Sequence, residues 1–252
     1  MKIVTFNIRC DYEQDGINSF CYRKPLILEK IKYEQPDIIC FQEVLPHVAK
    51  WLKEKLEDYY VIGYGRNEYL EDEQTSIAYK KTVFNLIQME VFWLSETPLV
   101  IASRYEDQSS CPRICTEALL QNLETHEFIR VFNTHLDHEG VGARRLGIAQ
   151  ILNQISKEES FIDAPAIIIG DFNAFPDSEE MQIFQEFPAF VDLTANLEGT
   201  FHDYGQLQEP EKIDYIYADS RLLCRNAVLW QDSMDGVYLS DHYAICVEIY
   251  TK

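Results

Sequence analysis

The sequence predicts an α/β protein on three grounds. Short apolar runs such as Ile38-Ile39-Cys40-Phe41 and Ile167-Ile168-Ile169 read as strands buried on both faces. Amphipathic segments with helical spacing lie between such runs. The runs also end, repeatedly, on a carboxylate, carboxamide or imidazole that has no place in a core unless it is solvated, hydrogen-bonded or working. With 252 residues, 46% of them hydrophobic and 13% aromatic, the chain can bury a substantial core. No internal repeat and no Gly/Ser/Pro-rich linker divides it, so a single domain over residues 1–252 is expected.

Taken in order, Ile3 to Ile8 alternates apolar and polar and delivers Asn7 and Arg9 near a strand end, followed by a polar loop over 11–18. Pro25 to Gln35 predicts a helix that stops at Pro36. Asp37 to Glu43 predicts a second buried strand ending in a carboxylate. Val48, Trp51, Leu52 and Leu56 have helical spacing, so a second helix is expected over Pro46 to Asp58. Strands are expected at Tyr60 to Gly63, Thr75 to Tyr79 and Val83 to Trp93, with the acidic stretch Glu68 to Glu73 as solvated surface. Thr116 to Leu123 and Phe128 to His135 predict a hairpin across residues 124–127. Arg144 to Ile155 is helical and leads into the central strand that ends at Gly170-Asp171. Ser178 is placed to cap a short helix carrying Met181 and Phe184. Ile213 to Tyr217, Val228 to Trp230 and Tyr243 to Tyr250 complete the strands.

The formal net charge of −20 narrows the partners. So acidic a surface repels a long polyanion, so tight binding of duplex nucleic acid is not expected, while divalent cations are attracted. The opening residues enter a strand pattern at once and no apolar run reaches membrane-spanning length, which leads us to expect a cytoplasmic protein with no membrane partner. The seven cysteines show no CxxC or zinc spacing and read as reduced core residues. Nothing in the sequence defines an oligomeric partner.

Chemistry concentrates at the strand ends. Asp171 and Asn173 lie two apart, so on an extended backbone they project together. Alone, that pair fits an Asx turn as well as a site. Five strand ends share the pattern, however: Asn7, Glu43, His135, Asp171 with Asn173, and Asp241 with His242. Their recurrence points to one site at one edge of a sheet assembly.

In chain order, the segments TFNIR, FQEV, NTHLDH, GDFNAFPDS, IDYIY and LSDHYAI resemble the endonuclease/exonuclease/phosphatase superfamily from end to end. FWLSETP and CPRICTEALL are similar to a bacterial branch near the Ccr4/nocturnin-like group. The resemblance implies a four-layer α/β/β/α sandwich, two mixed β-sheets face to face with helices outside, and hydrolysis of a phosphoester with Mg²⁺ or Mn²⁺. It implies Glu43 as the principal metal ligand, with Asn7 and Asp241 in or near the same shell. Asp171 would orient or deprotonate the attacking water, and Asn173 would donate to the phosphate. Asp214 would accept from His242 and hold it as a charged clamp on a phosphoryl oxygen. His135 occupies the place of a phosphate-contacting residue. Arg113, Asp137, His138 and Arg144 are candidates for substrate binding. Arg9 stands where abasic-site endonucleases carry an acid, which argues against a second metal ligand there and for a phosphate contact. Glu117 stands where the bacterial branch would carry an aromatic, which puts the pocket wall in question.

These residues suit the chemistry, since phosphoester hydrolysis needs an activated water and neutralised phosphoryl oxygens. The leading expectation is a phosphohydrolase acting on a small phosphorylated molecule or a short oligonucleotide. The alternatives are a nuclease or deadenylase-like phosphodiesterase acting on nucleic-acid ends, and a non-catalytic phosphate-binding protein on the same fold. The intact set Asn7, Glu43, Asp171, Asn173, Asp214, Asp241 and His242 argues against the last.

Overall fold

The computed structural model describes residues 1–156 and 162–251. In chain order the strands are β1 (Lys2–Asn7), β2 (Ile38–Gln42), β3 (Tyr59–Ile62), β4 (Ile77–Lys80), β5 (Phe84–Trp93), β6 (Ile114–Asn122), β7 (Phe128–His135), β8 (Ala166–Asp171), β9 (Phe190–Asp192), β10 (Asp214–Asp219), β11 (Leu222–Trp230), β12 (Ser233–Met234), β13 (Val237–Tyr238) and β14 (Ala244–Thr251). The helices are α1 (Phe20–Glu34), α2 (Pro46–Lys55) and α3 (Val141–Ile155), with 3-10 turns at Glu13–Asn18, Glu179–Glu186 and Asp203–Gly205.

Twelve of the strands form two six-stranded sheets, ordered β11-β14-β1-β2-β4-β3 and β5-β6-β7-β8-β10-β9. Each sheet is antiparallel except for one central parallel pair, β1 with β2 and β7 with β8. A parallel pair needs a crossover, which α1 supplies in the first sheet and α3 in the second. Alternation along the strands then builds the layers. Ile3, Cys40, Ile167 and Ile169 meet between the sheets. Val4, Phe6, Ile39 and Phe41 face α1 and α2, while Phe132 and Ile168 face α3. The result is the expected four-layer α/β/β/α sandwich.

At one end of the inter-sheet core the apolar packing gives way to a polar pin. Gln42 Nε2 donates to Asn133 Oδ1 at 2.7 Å, and Asn133 Nδ2 donates to the Phe41 and Ser76 carbonyls at 2.9 and 3.0 Å. Both side chains are fully buried, and these bonds fix the two sheets relative to each other directly beneath the strand ends that carry the chemistry.

The structure moves several predicted boundaries. Helix α1 begins at Phe20 rather than Pro25; the N–H that Pro25 lacks would have served the carbonyl of the exposed Cys21, so the helix tolerates the proline near its start. Helix α3 begins at Val141, three residues early. Ser178 precedes a short helix as expected, but its hydroxyl donates back to the Phe175 carbonyl at 2.7 Å and does not cap. Strand β11 extends far beyond Val228 to Trp230, and β9, β12 and β13 have no apolar run to announce them. Of the cysteines, Cys10, Cys40, Cys115 and Cys246 are buried, whereas Cys21 is exposed and Cys111 and Cys224 are partly exposed, so the core assignment holds for four. Glu117 is buried in an ion pair with Arg130, Oε1 to Nη2 at 2.5 Å, so it packs beneath α3 and not in a pocket wall. Among the described residues, no helix is long and apolar enough to cross a membrane.

Candidate active site

The carboxyl ends of both parallel pairs lie at the same edge of the sandwich, as ligand sites do in sheets with parallel strands. Asn7 ends β1, Glu43 follows β2, His135 ends β7 and Asp171 ends β8. Gly170 makes the last pairing possible. Its φ is 147°, and a Cβ there would stand 1.9 Å from the Thr134 carbonyl oxygen. Any other residue would force β8 off β7 and separate Asp171 from His135, whose Nε2 lies 3.5 Å from Asp171 Oδ2. Asp214 opens β10 directly across from Asp171. The segment carrying Asp241 and His242 is tied down by backbone bonds from His202 N to Asp241 O at 2.9 Å and from Tyr243 N to Thr200 O at 2.8 Å.

Asn7 is the hub. Its Nδ2 donates to Glu43 Oε1 at 2.9 Å and to Asp171 Oδ2 at 3.0 Å, while its Oδ1 accepts from Arg9 N at 3.0 Å. In the opposite amide orientation the one amide oxygen would face both carboxylates and the NH₂ would face the Arg9 N–H, so the bonding fixes this one. Glu43 Oε2 accepts from Cys10 N at 2.8 Å. Burial raises the Glu43 carboxyl, but the Asn7 amide, the Cys10 N–H and the positive charges of His242 and Arg9 bring it below its ordinary range. Asp171 is pushed up to about 7, first by burial and then by the neighbouring Asp214 charge. His242 Nδ1 meets Asp214 Oδ2 at 2.8 Å, and its Nε2 lies 3.9 Å from Asp171 Oδ2. Burial disfavours the imidazolium, yet Asp214, helped by Asp171 and Asp241, outweighs it and raises His242 to about 10, so the ring is charged at neutral pH.

These groups border a cavity of about 470 Å³, with Glu43, Asp171, Asn173, His135, Asp241 and His242 on its lining. Asp171, Asp214 and His242 bring ligand atoms within 4.8 Å of one another. That trio already shares a proton between imidazole and carboxylate, so it is better suited to holding a charged clamp than a metal ion. The oxygen-rich side of the cavity, Glu43 with Asp241 and Asp171, fits a hard divalent cation. Burial and the neighbouring Glu43 charge raise Asp241, and Asp171 is raised as well. The lining therefore carries a negative charge that a cation would relieve.

The structure separates the weaker candidates. Arg9 lines the cavity, but its guanidinium is engaged by Asp15 at 3.2 Å and by Asp241 Oδ2 at 3.3 Å. His138 also lines the cavity, its Nδ1 accepting from Arg113 Nη2 at 2.9 Å. Arg113 borders the cavity with its side chain 5% exposed. Asn173 has φ 48°, and its Nδ2 donates to the Leu136 carbonyl at 3.0 Å. Two candidates fall outside the pocket. Arg144 is ion-paired to Glu180 at 2.5 Å and donates to the Asp137 carbonyl, joining α3 to the 3-10 turn at Glu179–Glu186. Asp137 accepts from the backbone N–H of Ser109, Glu139 and Gly140 and from the Ser109 hydroxyl, so it organises a loop.

Asp137 accordingly yields a stability prediction. Burial opposes its charge, but the Gly140 N–H, the Ser109 hydroxyl and N–H and the Glu139 N–H prevail and hold it down to about 2. A carboxyl lowered on folding stabilises the fold above its unfolded pKa and loses that contribution as pH falls through the folded one. Asp137→Asn is expected to cost roughly 1–2 kcal/mol in urea denaturation at pH 7, after allowance for solvent screening. The difference should shrink between about pH 4 and pH 2. An equal deficit at both pH values would contradict it.

Arg66 and Glu73 are among the cavity residues that escaped the sequence reading. Glu73 belongs to the acidic stretch assigned to solvated surface, yet its side chain is only 13% exposed and it is held by Arg66 Nη2 at 2.7 Å. Burial and the Glu43 charge push it up to about 7. Arg66 and Glu73 are brought to the cavity by the loop between β3 and β4, and nothing in a run of acids marks one of them as turned inward.

Comparison with known proteins agrees with the architecture. An endonuclease/exonuclease/phosphatase from Bacteroides vulgatus is 30% identical, covers 100% of this chain and 98% of its own, and superposes with a TM-score of 0.92. A Bacteroides thetaiotaomicron mannosyl-6-phosphatase is 25% identical with a TM-score of 0.90, covering 99% of each chain. The human nocturnin catalytic domain, 21% identical over 100% of this chain and 93% of its own, shares the fold with a TM-score of 0.76. The family model for the Endonuclease/Exonuclease/phosphatase family, whose members are hydrolases acting on phosphoesters, matches residues 4–242. With that match spanning nearly the whole chain, and the strand-end residues gathered at one cavity, this protein belongs to the Endonuclease/Exonuclease/phosphatase family.

Proposed function

We propose that this protein is a divalent-metal-dependent phosphohydrolase that releases the terminal phosphate of a small substrate by attack of water. The observation that carries this reading is the convergence of Glu43, Asp171 and His242 at one cavity, with Asn7 and Asp214 hydrogen-bonded directly to them. Asp171 and His242 are 2% and 6% exposed. A terminal phosphoryl group can reach such buried groups, whereas an internal diester would have to bring two chain directions in with it. The net charge of −20 further disfavours a long duplex, and the similar mannosyl-6-phosphatase supports a small monoester.

Each residue then has a task. Asp171, its proton affinity raised toward neutrality, accepts a proton from the attacking water or orients it. His242, kept charged by Asp214, offers Nε2–H to a phosphoryl oxygen as an electrostatic clamp. Asn7 fixes the Glu43 and Asp171 carboxylates against each other. Asn173, with one amide N–H on Leu136, keeps the other for the phosphate. Glu43, with Asp241 beside it, would hold Mg²⁺ or Mn²⁺. Such an ion supplies charge neutralisation at the phosphoryl oxygens and lowers the pKa of a bound water.

The test is turnover of 4-nitrophenyl phosphate with Mg²⁺ or Mn²⁺. It should exceed turnover of bis(4-nitrophenyl) phosphate, vanish with EDTA and return with added metal. Preference for the diester, or tight and steeply salt-dependent duplex DNA binding, would overturn the terminal-phosphate reading.

A further inference from the structure

The wall formed by Arg66, Glu73, Arg113 and His135 has no task in the reaction above. It is nevertheless built. The loop that carries Glu73 closes so tightly that a Cβ on Gly65 would stand 1.8 Å from the Glu71 carbonyl oxygen. Arg66 braces it through Asp72 at 3.0 Å and Glu73 Oε1 at 2.7 Å. Gln74 and Val44 exchange backbone hydrogen bonds at 2.9 and 3.3 Å, locking the loop to the residue after Glu43.

This bracing occupies one oxygen of Glu73. The other, Oε2, faces His135 Nδ1 across 3.8 Å, too long for a hydrogen bond. His135 and Arg113 are 8% and 5% exposed, yet among the described residues His135 Nδ1 and Arg113 Nε and Nη1 have no hydrogen-bond partner. Asp137 Oδ2 is 3.5 Å from Arg113 Nε, an ion-pair contact only. Buried donors and acceptors of this kind are seldom left unpaired. All four residues line both the main cavity and a cleft of about 10 Å³ that it adjoins, room for about one oxygen atom.

The chemistry of the cleft selects its occupant. Glu73 Oε2 repels a phosphoryl oxygen, and the Arg113 guanidinium repels a cation. A neutral hydroxyl suits both, its oxygen accepting from Arg113 and its hydrogen donated to Glu73. We propose that the cleft receives one hydroxyl of the substrate's carbon skeleton, which makes the substrate a phosphorylated polyol and Glu73 a specificity residue. This rests on the phosphohydrolase reading and adds to it the substrate class. A trapped water offers the same O–H chemistry, so the experiment must distinguish the two.

Hexose 6-phosphates and their monodeoxy analogues serve as probes, with 4-nitrophenyl phosphate as a hydroxyl-free reference. For the wild-type protein, removal of one particular hydroxyl should lower kcat/KM by about 30-fold or more, because it leaves buried groups unpaired. In Glu73→Gln the amide oxygen stays with Arg66 and the NH₂ turns to the cleft, so the hydroxyl keeps Arg113 but loses the acceptor for its hydrogen, and the ratio of parent to deoxy analogue should fall by about fivefold or more. A wild-type protein indifferent to every deoxy analogue, as a water-filled cleft would make it, overturns the proposal without any mutant. So does a ratio unchanged in Glu73→Gln, or turnover of 4-nitrophenyl phosphate with none of the hexose phosphates. Failure to hydrolyse any phosphomonoester removes the phosphohydrolase reading itself, and the reference substrate identifies that case.

Discussion

Asp171→Asn is expected to lower kcat for phosphomonoester hydrolysis by about 10³-fold while leaving the fold at least as stable as the wild type. The two halves have one cause. The Asp171 carboxylate is buried, faces the Asp214 carboxylate across the β8–β10 pair and is held near a pKa of about 7, so its negative charge works against folding at neutral pH. A carboxyl raised on folding contributes less to stability as pH climbs from its unfolded value toward its folded one. An amide removes the charge but has one oxygen where the carboxylate has two, so it accepts from Asn7 Nδ2 or from Asn173 N and not from both. The relieved charge outweighs that lost bond, and stability in chelator at pH 7 should rise by up to about 1 kcal/mol. The same amide cannot take a proton from water. Retained turnover would dismiss Asp171 as the group acting on water. Lost turnover accompanied by a lower Tm would mean only that the variant folds badly.

Arg23→Met is expected to cost about 3–5 kcal/mol of stability, a fall in Tm of about 10 °C for a chain of this size, with kcat reduced about tenfold through displaced neighbours. Arg23 is fully buried near the start of α1, and among the described residues its hydrogen bonds go to backbone carbonyls and not to a carboxylate. It donates to the carbonyls of Asn18 at 2.6 Å, Ile8 at 2.5 Å, Leu239 at 3.0 Å and Arg9 at 3.2 Å. One planar guanidinium thereby joins the turn that presents Cys10 N to Glu43 with the segment that presents Asp241 and His242. Lysine has the charge but not the fork, so Arg23→Lys should recover only part of the loss. A Tm for Arg23→Met within about 2 °C of the wild type would show that the fork is dispensable.

How much of this could be read in advance differs residue by residue. Asn7, Glu43, His135, Asp171 and His242 were legible because each interrupts an apolar run, and a polar residue at such a point contradicts the local pattern. The partnership of Asp214 with His242 was legible only through the resemblance of IDYIY and LSDHYAI to family motifs. Arg144 and Asp137 were misassigned for a related reason. They follow a motif strand closely, but adjacency in sequence does not give direction, and α3 turns Arg144 toward Glu180. Glu73 and Arg23 left no signal. A charged residue in a polar stretch looks the same whether it faces water or the interior.

The sequence by itself determined the alternation of strands and helices, the layers that alternation builds, and the identity of the polar residues at the strand ends. Those properties depend on neighbours a few positions apart. The tertiary structure alone decided which of those residues share a cavity, which buried arginines hold its rim, and that one carboxylate of an acidic loop turns inward. Those depend on contacts between segments far apart in the chain, and both the energy of a buried charge and its direction are set by groups that only folding brings beside it.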